Sequence, residues 1–401
     1  MEDRKRIYAD NAATTPVSRE VLDAMLPYLT EKTGNPSALH APGREAARAV
    51  NNARKRIAAA LHCEKEEIFF TSCGSESDNW AIKGTAFAYL AKNGHPGHLI
   101  TTSIEHHAVL HSMQFLETLG FSVTYVNPMP DGIVRTEDIM AAVREDTCLI
   151  AVMHANNEIG TVQPIREIAA AAHERGIPVF CDAVQSIGQI PVDLSDLGVD
   201  MLAMSGHKIH TPKGIGLLYV KDGFRPVSLI DGGGQERGRR AGTENVPYIV
   251  GLAAAVEDAV RRREIDRVYA MRERLFDGLC ALPGVVVNGI RDKEHRLPGN
   301  VNVSFTGLDA ESMVLLLDTA GISASAGSAC NSKNTSPSHV LSAIGRDADA
   351  AKASVRFTLS RDNTMEEIET ILAKTKEITD TLRAVKEKSI YNIRKETESN
   401  A

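Results

Sequence analysis

The chain contains no stretch approaching the roughly 18 consecutive apolar residues that a membrane-spanning helix needs, so no span is expected. Its first residues, MEDRKRI, are charged and lead into IYADNAATTP without an apolar leader, which argues against secretion. Cysteine is sparse: Cys63, Cys73, Cys148, Cys181, Cys280 and Cys330 are scattered, with no CxxC pair. Reduced thiols in the cytoplasm fit this better than a disulfide framework, and no CxxC pair suggests a zinc or iron-sulfur site. Positive charge is not in excess. The formal net charge is -7, which favours solubility and argues against a nucleic-acid surface. Neither a GxxxxGK[ST] loop nor a dinucleotide fingerprint is present, so ATP or GTP chemistry is not suggested.

What remains is an ordinary globular composition, 43% apolar and 24% charged. A chain of 401 residues is more than one core usually spans, so two domains are expected. Seven strand-like runs follow one another: 68–72, 98–103, 122–126, 148–154, 178–184, 199–205 and 214–220. CLIAVMH (148–154) is almost continuously apolar, as a strand covered on both faces should be. Helical patterns lie between the first several, at about 77–90, 108–119 and 164–175. The alternation predicts an α/β domain with a mostly parallel sheet. The polar clusters CGSESDN, HANNEIG, DAVQ and SGHK all fall near strand ends, where open α/β sheets place ligands. Beyond residue 231 comes a glycine-rich basic loop, DGGGQERGRRAGTEN, then a long helical stretch near 247–283. Short strand-like pieces at 285–289, 300–305, 321–325 and 353–359 then predict a smaller α+β domain.

Several residues in these clusters are chemically able. Lys208, in SGHK, follows an apolar strand; a lysine at a buried sheet edge can have a lowered pKa and form a Schiff base, or simply sit at the surface. Asp182 ends the strand PVFCD and either caps it in solvent or faces a protonated ring nitrogen. CGSES (73–77) sets Gly74, Ser75 and Ser77 before a helix, where backbone donors and hydroxyls can hold a phosphate or merely cap. Cys330 lies among small polar residues in GISASAGSACNSKNTSPSH, a setting that can expose and carry a thiol. The other cysteines fit structural places, with Cys73 held open because it borders the phosphate turn. His106, His107 and His111 in EHHAVLH are adjacent, but their spacing does not suit a metal site.

An ordered set of motifs joins these pieces: DNAATTP (10–16), GNPSALH (34–40), TSCGSESDN (71–79), EHHAVL (105–110), NNEIG (156–160), DAVQ (182–185), SGHK (205–208), GGGQERGRRAGTEN (232–245), GSAC (327–330) and SVRF (354–357). Together they resemble the NifS/IscS-type cysteine desulfurases of the class V aminotransferase family, fold-type I pyridoxal-phosphate enzymes, from residue 8 to about 380. The resemblance implies an α/β fold with a large seven-stranded domain over residues 16–260 that binds the cofactor. It implies a small α+β domain over 261–388 carrying the cysteine loop, with residues 1–15 packing on that small domain and a polar tail at 389–401. It implies pyridoxal 5'-phosphate as cofactor, joined to Lys208, with His106 stacked on its ring. Asp182 would pair with the ring nitrogen and Gln185 would bond the phenolic oxygen. Gly74, Ser75, Ser205 and His207 would hold the phosphate, and Thr243 would reach the phosphate of the other subunit in a homodimer. Asn157 would lie near the phenolic oxygen and the substrate carboxylate, which Arg356 would clamp with help from Asn35.

On that resemblance, free L-cysteine displaces Lys208, and the freed amine removes the Cα proton. Cys330, as thiolate, takes the sulfur as a persulfide, and alanine leaves. His106 is the favoured manager of the thiol proton. The acceptor is an iron-sulfur scaffold or another sulfur-accepting protein. The only metal encounter implied is a transient one between Cys330 and a cluster on such a partner. Departures from the family pattern occur in the phosphate turn, where Ser75 replaces a threonine, and at His210 and Thr211. The rivals are a selenocysteine lyase, transaminase or kynureninase on the same fold, and a non-catalytic sulfur carrier.

Overall fold

In the computed structural model, residues 6–261, 264–326 and 337–399 are described. The chain divides into two compact units. One comprises Ala12–Asn157 and Thr161–Arg263; the other comprises Met1–Asn11, Glu158–Gly160 and Glu264–Ala401.

The larger unit is built on a seven-stranded sheet whose spatial order is Ile68–Thr71, Gly216–Val220, Met201–Ser205, Val179–Asp182, Thr147–Met153, His98–Thr102 and Ser122–Val126. All seven strands expected from the sequence are present. Gly216–Val220 runs antiparallel to both neighbours, and every other pairing is parallel. Six of the strands, including Thr147–Met153 and Val179–Asp182, are buried at every position. Helices cover such a sheet, and each fully buried Val, Leu or Ile contributes about 1.5–3 kcal/mol. The Gly74–Asn93 helix packs Trp80, Ala81 and Ile82 onto it, with Trp80 edge-on to Phe69 at 5.5 Å between ring centres. Register places Met153 beside Asp182 and Asp182 beside Ala203, so the carboxyl ends of these strands share one edge of the sheet.

The rim strand Ile68–Thr71 has only one strand neighbour, yet it is buried throughout. Its outward backbone groups are taken by side chains. The Phe70 N–H donates to Glu236 Oε2 at 3.0 Å, and the Ile68 carbonyl accepts from Arg54 and, at 2.9 Å, from Arg237. Arg54 and Glu236 form a buried two-point pair at 2.9 and 2.7 Å. The loop that supplies Glu236 bends sharply to do this. Glu236 (φ 46°, ψ 42°) and Arg237 (φ 60°, ψ 34°) are both left-handed, at a cost of roughly 1–2 kcal/mol each. Guanidinium groups of Arg237 and Arg239 lie 4.1 and 4.8 Å from the Phe69 ring centre and help offset it. Glu236→Ala strands the Arg54 charge in the interior. The expected loss is about 3–5 kcal/mol of stability, to be measured by urea unfolding.

The helical stretch read as continuous over 247–283 is two helices, Val246–Arg261 and Ile265–Cys280. The break coincides with the division between units.

In the smaller unit a four-stranded antiparallel sheet runs Ser325–Ala326, Ser354–Thr358, Asn300–Phe305, Val285–Val287. Ile7–Tyr8 pairs in parallel with Ile322–Ser323. The helices Ile265–Cys280, Ala310–Thr319 and Met365–Ser399 accompany the sheet, and Leu275, Phe276, Phe305, Met313, Phe357 and Ile371 form part of a fully buried core. Arg296, fully buried, is satisfied by the carbonyls of Asn288, Ile290 and Asn300 and by Asn300 Oδ1.

Candidate active site

The carboxyl edge of the large sheet gathers most of the residues singled out from the sequence. The Ile68–Thr71 strand turns through Cys73 into the Gly74–Asn93 helix, and Cys73 makes no side-chain cap bond to the first turn. Gly74 is tightly enclosed. A Cβ there would lie 2.8 Å from Val184 Cγ2 and 3.3 Å from Ser205 Cβ. Glycine thus lets this helix start nestle against the ends of the Val179–Asp182 and Met201–Ser205 strands. Ser205 is buried and Ser75 exposed. The uncapped amides of this helix start and the nearby Ser75 and Ser205 hydroxyls fit a phosphate group.

Asp182 terminates its strand with a buried carboxylate whose Oδ1 accepts from Val184 N at 2.9 Å. Burial raises its pKa to about 6, while the Val184 amide and the Lys208 charge pull it back. Two more buried acids stand nearby. Glu105 accepts from Thr102 Oγ1 at 2.7 Å and from Met153 N at 3.0 Å. Burial pushes its carboxyl up to about 8, with the charge of Asp182 adding to the shift. Asp78 is raised well above the usual carboxylate range by burial, then by Asp182 and Glu105. Three acids in mutual opposition suit a ligand that brings a positive charge, and a protonated ring nitrogen is such a group.

The Asp182 shift has a testable sign. An acid bound more tightly to its proton when folded stabilises the cofactor-free protein below its ordinary pKa of 3.8, and loses that contribution as pH rises through about 6. Asp182→Asn should therefore raise the melting temperature of the cofactor-free protein by a few degrees at pH 8 and leave it nearly unchanged below pH 4, as read by thermal melts.

Lys208 lies just past the Met201–Ser205 strand in the turn Gly206–Lys208. Its Nζ donates to the carbonyl oxygens of Ala12 and, at 2.9 Å, Ala13. Gln185 Nε2 donates to the same Ala12 oxygen at 3.0 Å. His207 is pushed down to about 4 by burial and then by Lys208 and Lys213, and its Nδ1 meets Thr14 Oγ1 at 3.2 Å. The Ala12–Thr15 segment is thus knitted to the Lys208 turn, also through Thr15 N to His207 O at 2.9 Å. His106 caps the His107–Thr118 helix, its Nδ1 accepting from Ala108 N at 3.2 Å, which leaves Nε2 as the protonated nitrogen of a neutral ring. Asn157 is half-buried, Thr243 is exposed, and Asn35 is exposed with its Oδ1 accepting from Ser37 N at 2.9 Å.

Arg356 belongs to the smaller unit. It is buried on the Ser354–Thr358 strand and bonds Asp10 Oδ1 through Nη2 at 3.0 Å. In the same unit Glu158 is pushed up to about 7 by burial, partly offset by a hydrogen bond from Ser338 and by the Arg356 charge. Cys330, with the rest of GSAC, lies outside the described residues.

Sequence reasoning missed the Ala12 and Ala13 carbonyls, although DNAATTP was among the motifs. It also missed Glu105 and Asp78, whose only sequence signal was their place in EHHAVL and TSCGSESDN. No group of three or more His, Cys, Asp or Glu placed to hold a metal ion occurs among the described residues, and no helix there is long and apolar enough to cross a membrane.

Comparison with known proteins gives a consistent picture. Residues 7–371 match the family model for aminotransferase class-V. A protein named cysteine desulfurase IscS from Methanosarcina thermophila is 49% identical over 383 residues, 95% of this chain and 94% of that one. A solved structure titled NifS-like protein superposes with a TM-score of 0.87 at 40% identity, covering 94% of this chain and all of the other. Another, titled SspA in complex with cysteine, gives 0.78 at 40% identity over 88% of this chain and 98% of that one. The chain belongs to the class-V aminotransferase family, a family dependent on pyridoxal phosphate, and within it to the NifS/IscS-type cysteine desulfurases.

Proposed function

We propose that this protein removes sulfur from free L-cysteine, releasing L-alanine and delivering the sulfur through a persulfide on Cys330 to an acceptor protein. The observation that carries the reading is the meeting of Lys208, Asp182 and the Gly74 turn at one sheet edge. Gly74, Ser75, Ser205 and His207 would hold the cofactor phosphate, His106 would cover the ring, and Gln185 and Asn157 would bond its phenolic oxygen. When bound, the cofactor supplies an electron sink for the bond changes at the substrate. Asp182 would favour a proton on the ring nitrogen by supplying a negative charge to it.

Lys208 moves the proton at Cα. Its ammonium sits against two carbonyl oxygens, which hold the amine at the carboxyl edge of the sheet, and a positioned amine is a competent proton-transfer group. Arg356 grips the substrate carboxylate by a two-point fork, with Asn35 and Asn157 assisting. Neutral His106, with its proton on Nε2, serves in this reading as a proton donor to the reacting groups. The Cys330 thiolate then attacks the substrate sulfur. An S–S bond forms, the carbon–sulfur bond breaks with its electron pair left on carbon, and that carbon is protonated to the methyl group of alanine.

Thr243 is exposed, as a residue serving a second subunit would be, and the active form in this reading is a homodimer. The acceptor is an iron-sulfur scaffold or a related sulfur-accepting protein. Free thiols at Cys63, Cys73, Cys148, Cys181 and Cys280 suit a cytoplasmic setting. Supplying L-cysteine or selenocysteine at matched concentrations to the cofactor-loaded protein tests the substrate. Alanine and persulfide sulfur are expected in equal amounts from cysteine, and turnover of selenocysteine alone would refute the assignment.

A further inference from the structure

The start of the Gly74–Asn93 helix carries an acidic residue, Glu76, in its first turn. This is the turn read above as the seat of a phosphate, and a phosphate near neutral pH carries close to two negative charges. A carboxylate one or two residues from that seat opposes the ligand. Burial acts to raise the Glu76 pKa, but the Arg240 guanidinium and the Ser72 hydroxyl and amide outweigh it, so the group stays ionised. Arg240 meets Glu76 in a two-point pair, Nε to Oε1 at 2.7 Å and Nη2 to Oε2 at 3.0 Å, with only 20% and 15% of the two side chains exposed. The groups that face the pair are Ser72 on the Glu76 side, and Glu236 and the Cys73 thiol on the Arg240 side.

Arg240 is itself held in place. It belongs to the loop whose Glu236 is locked by Arg54. Ala241 N donates to Ile230 O at 3.1 Å, and Gly242 N donates to Gln235 Oε1 at 3.1 Å. The loop that seals the rim strand therefore also delivers a fixed positive charge to the first turn of the helix.

We propose that Arg240 is a positioning residue for cofactor phosphate: by pairing with Glu76 it cancels a carboxylate that would otherwise repel the phosphate at the Gly74 turn. The inference rests on reading that turn as the phosphate seat. It assigns work to two residues outside the set read above as holding the cofactor and the substrate.

The test compares dissociation constants of pyridoxal phosphate and of pyridoxal, which lacks the phosphate, for the full-length protein. Arg240→Ala should weaken pyridoxal phosphate by about tenfold or more and leave pyridoxal within about twofold. Glu76→Gln/Arg240→Ala should recover most of the loss, because the opposing charge is gone. Glu76→Gln alone should bind pyridoxal phosphate as tightly as the parent or more tightly, a sign opposite to that of a purely structural pair, and it serves equally if Arg240→Ala does not fold. Equal weakening of both ligands by Arg240→Ala, no recovery in the double variant, or weaker phosphate binding in Glu76→Gln would each overturn the inference. A parent protein that binds pyridoxal as tightly as pyridoxal phosphate would instead refute the phosphate seat itself.

Discussion

Lys208→Ala should lower alanine release by at least about 10²–10⁴-fold, the range lost when a positioned proton-transfer group is removed, and abolish the borohydride-trappable bond between protein and cofactor. The effect is expected to be chemical rather than structural. Lys208 is only half-buried; it leaves behind two backbone carbonyls, one of which keeps its bond from Gln185, and a nearby Asp182 carboxyl that can take a proton once the lysine charge is gone. Folding should therefore survive. Lys208→Arg sharpens the test. Arginine offers the same carbonyls a positive donor, but its guanidinium does not give up a proton in proteins. An electrostatic role for Lys208 would leave Lys208→Arg largely active; a proton-transfer role leaves it as inactive as the alanine variant. Single-turnover measurements of alanine formation, with far-UV circular dichroism as the folding control, read the difference.

Cys330→Ala should bring persulfide and sulfide output to background while the protein stays yellow and binds pyridoxal phosphate with unchanged affinity. The phosphate turn, Asp182 and Lys208 all belong to the larger unit, whereas Cys330 lies in the sequence between the Ser325–Ala326 strand and the His339–Ala343 helix of the smaller one. Loss of the thiol removes the atom that forms the new S–S bond and none of the groups read as holding the cofactor. Cys330→Ser should behave identically, since a hydroxyl is too weakly acidic and too poor a nucleophile toward sulfur to substitute. Full turnover in either variant, measured as sulfide per alanine, would assign the sulfur-accepting role elsewhere, with Cys73 beside the helix start the first residue to test.

Much of this was legible before any coordinates, for physical reasons. Strands buried on both faces must be apolar along their length, so CLIAVMH and VDMLAMS announce themselves, and parallel strands need helical crossovers that leave their own periodicity. Lys208 and Asp182 stand out because a charged residue directly after such a strand is conspicuous. The partners of Lys208 were not legible. A backbone carbonyl such as that of Ala12 carries no residue signature, and it comes from a segment 196 positions away. The acid cluster was hidden in the same way, since Asp78, Glu105 and Asp182 come from different elements and only the sheet brings them near one another. Arg54 and Glu236 are 182 residues apart. The left-handed backbone at Glu236 and Arg237 also ran against the rule that glycine takes such positions, although three glycines precede it. The break between the helices ending at Arg261 and starting at Ile265 has no proline or glycine to mark it.

The side chains that close the rim of the large sheet bear on how this protein fails. An open rim is a template for another chain's strand, and Ile-Phe-Phe-Thr is short, apolar and rich in β-forming residues. While Glu236, Arg54 and Arg237 occupy its outward amide and carbonyl, no foreign strand can add there. A partially opened state that releases only the 232–245 loop, with the rest of the sheet intact, would uncover that template. Aggregation from such a state should therefore begin at this rim and precede global unfolding.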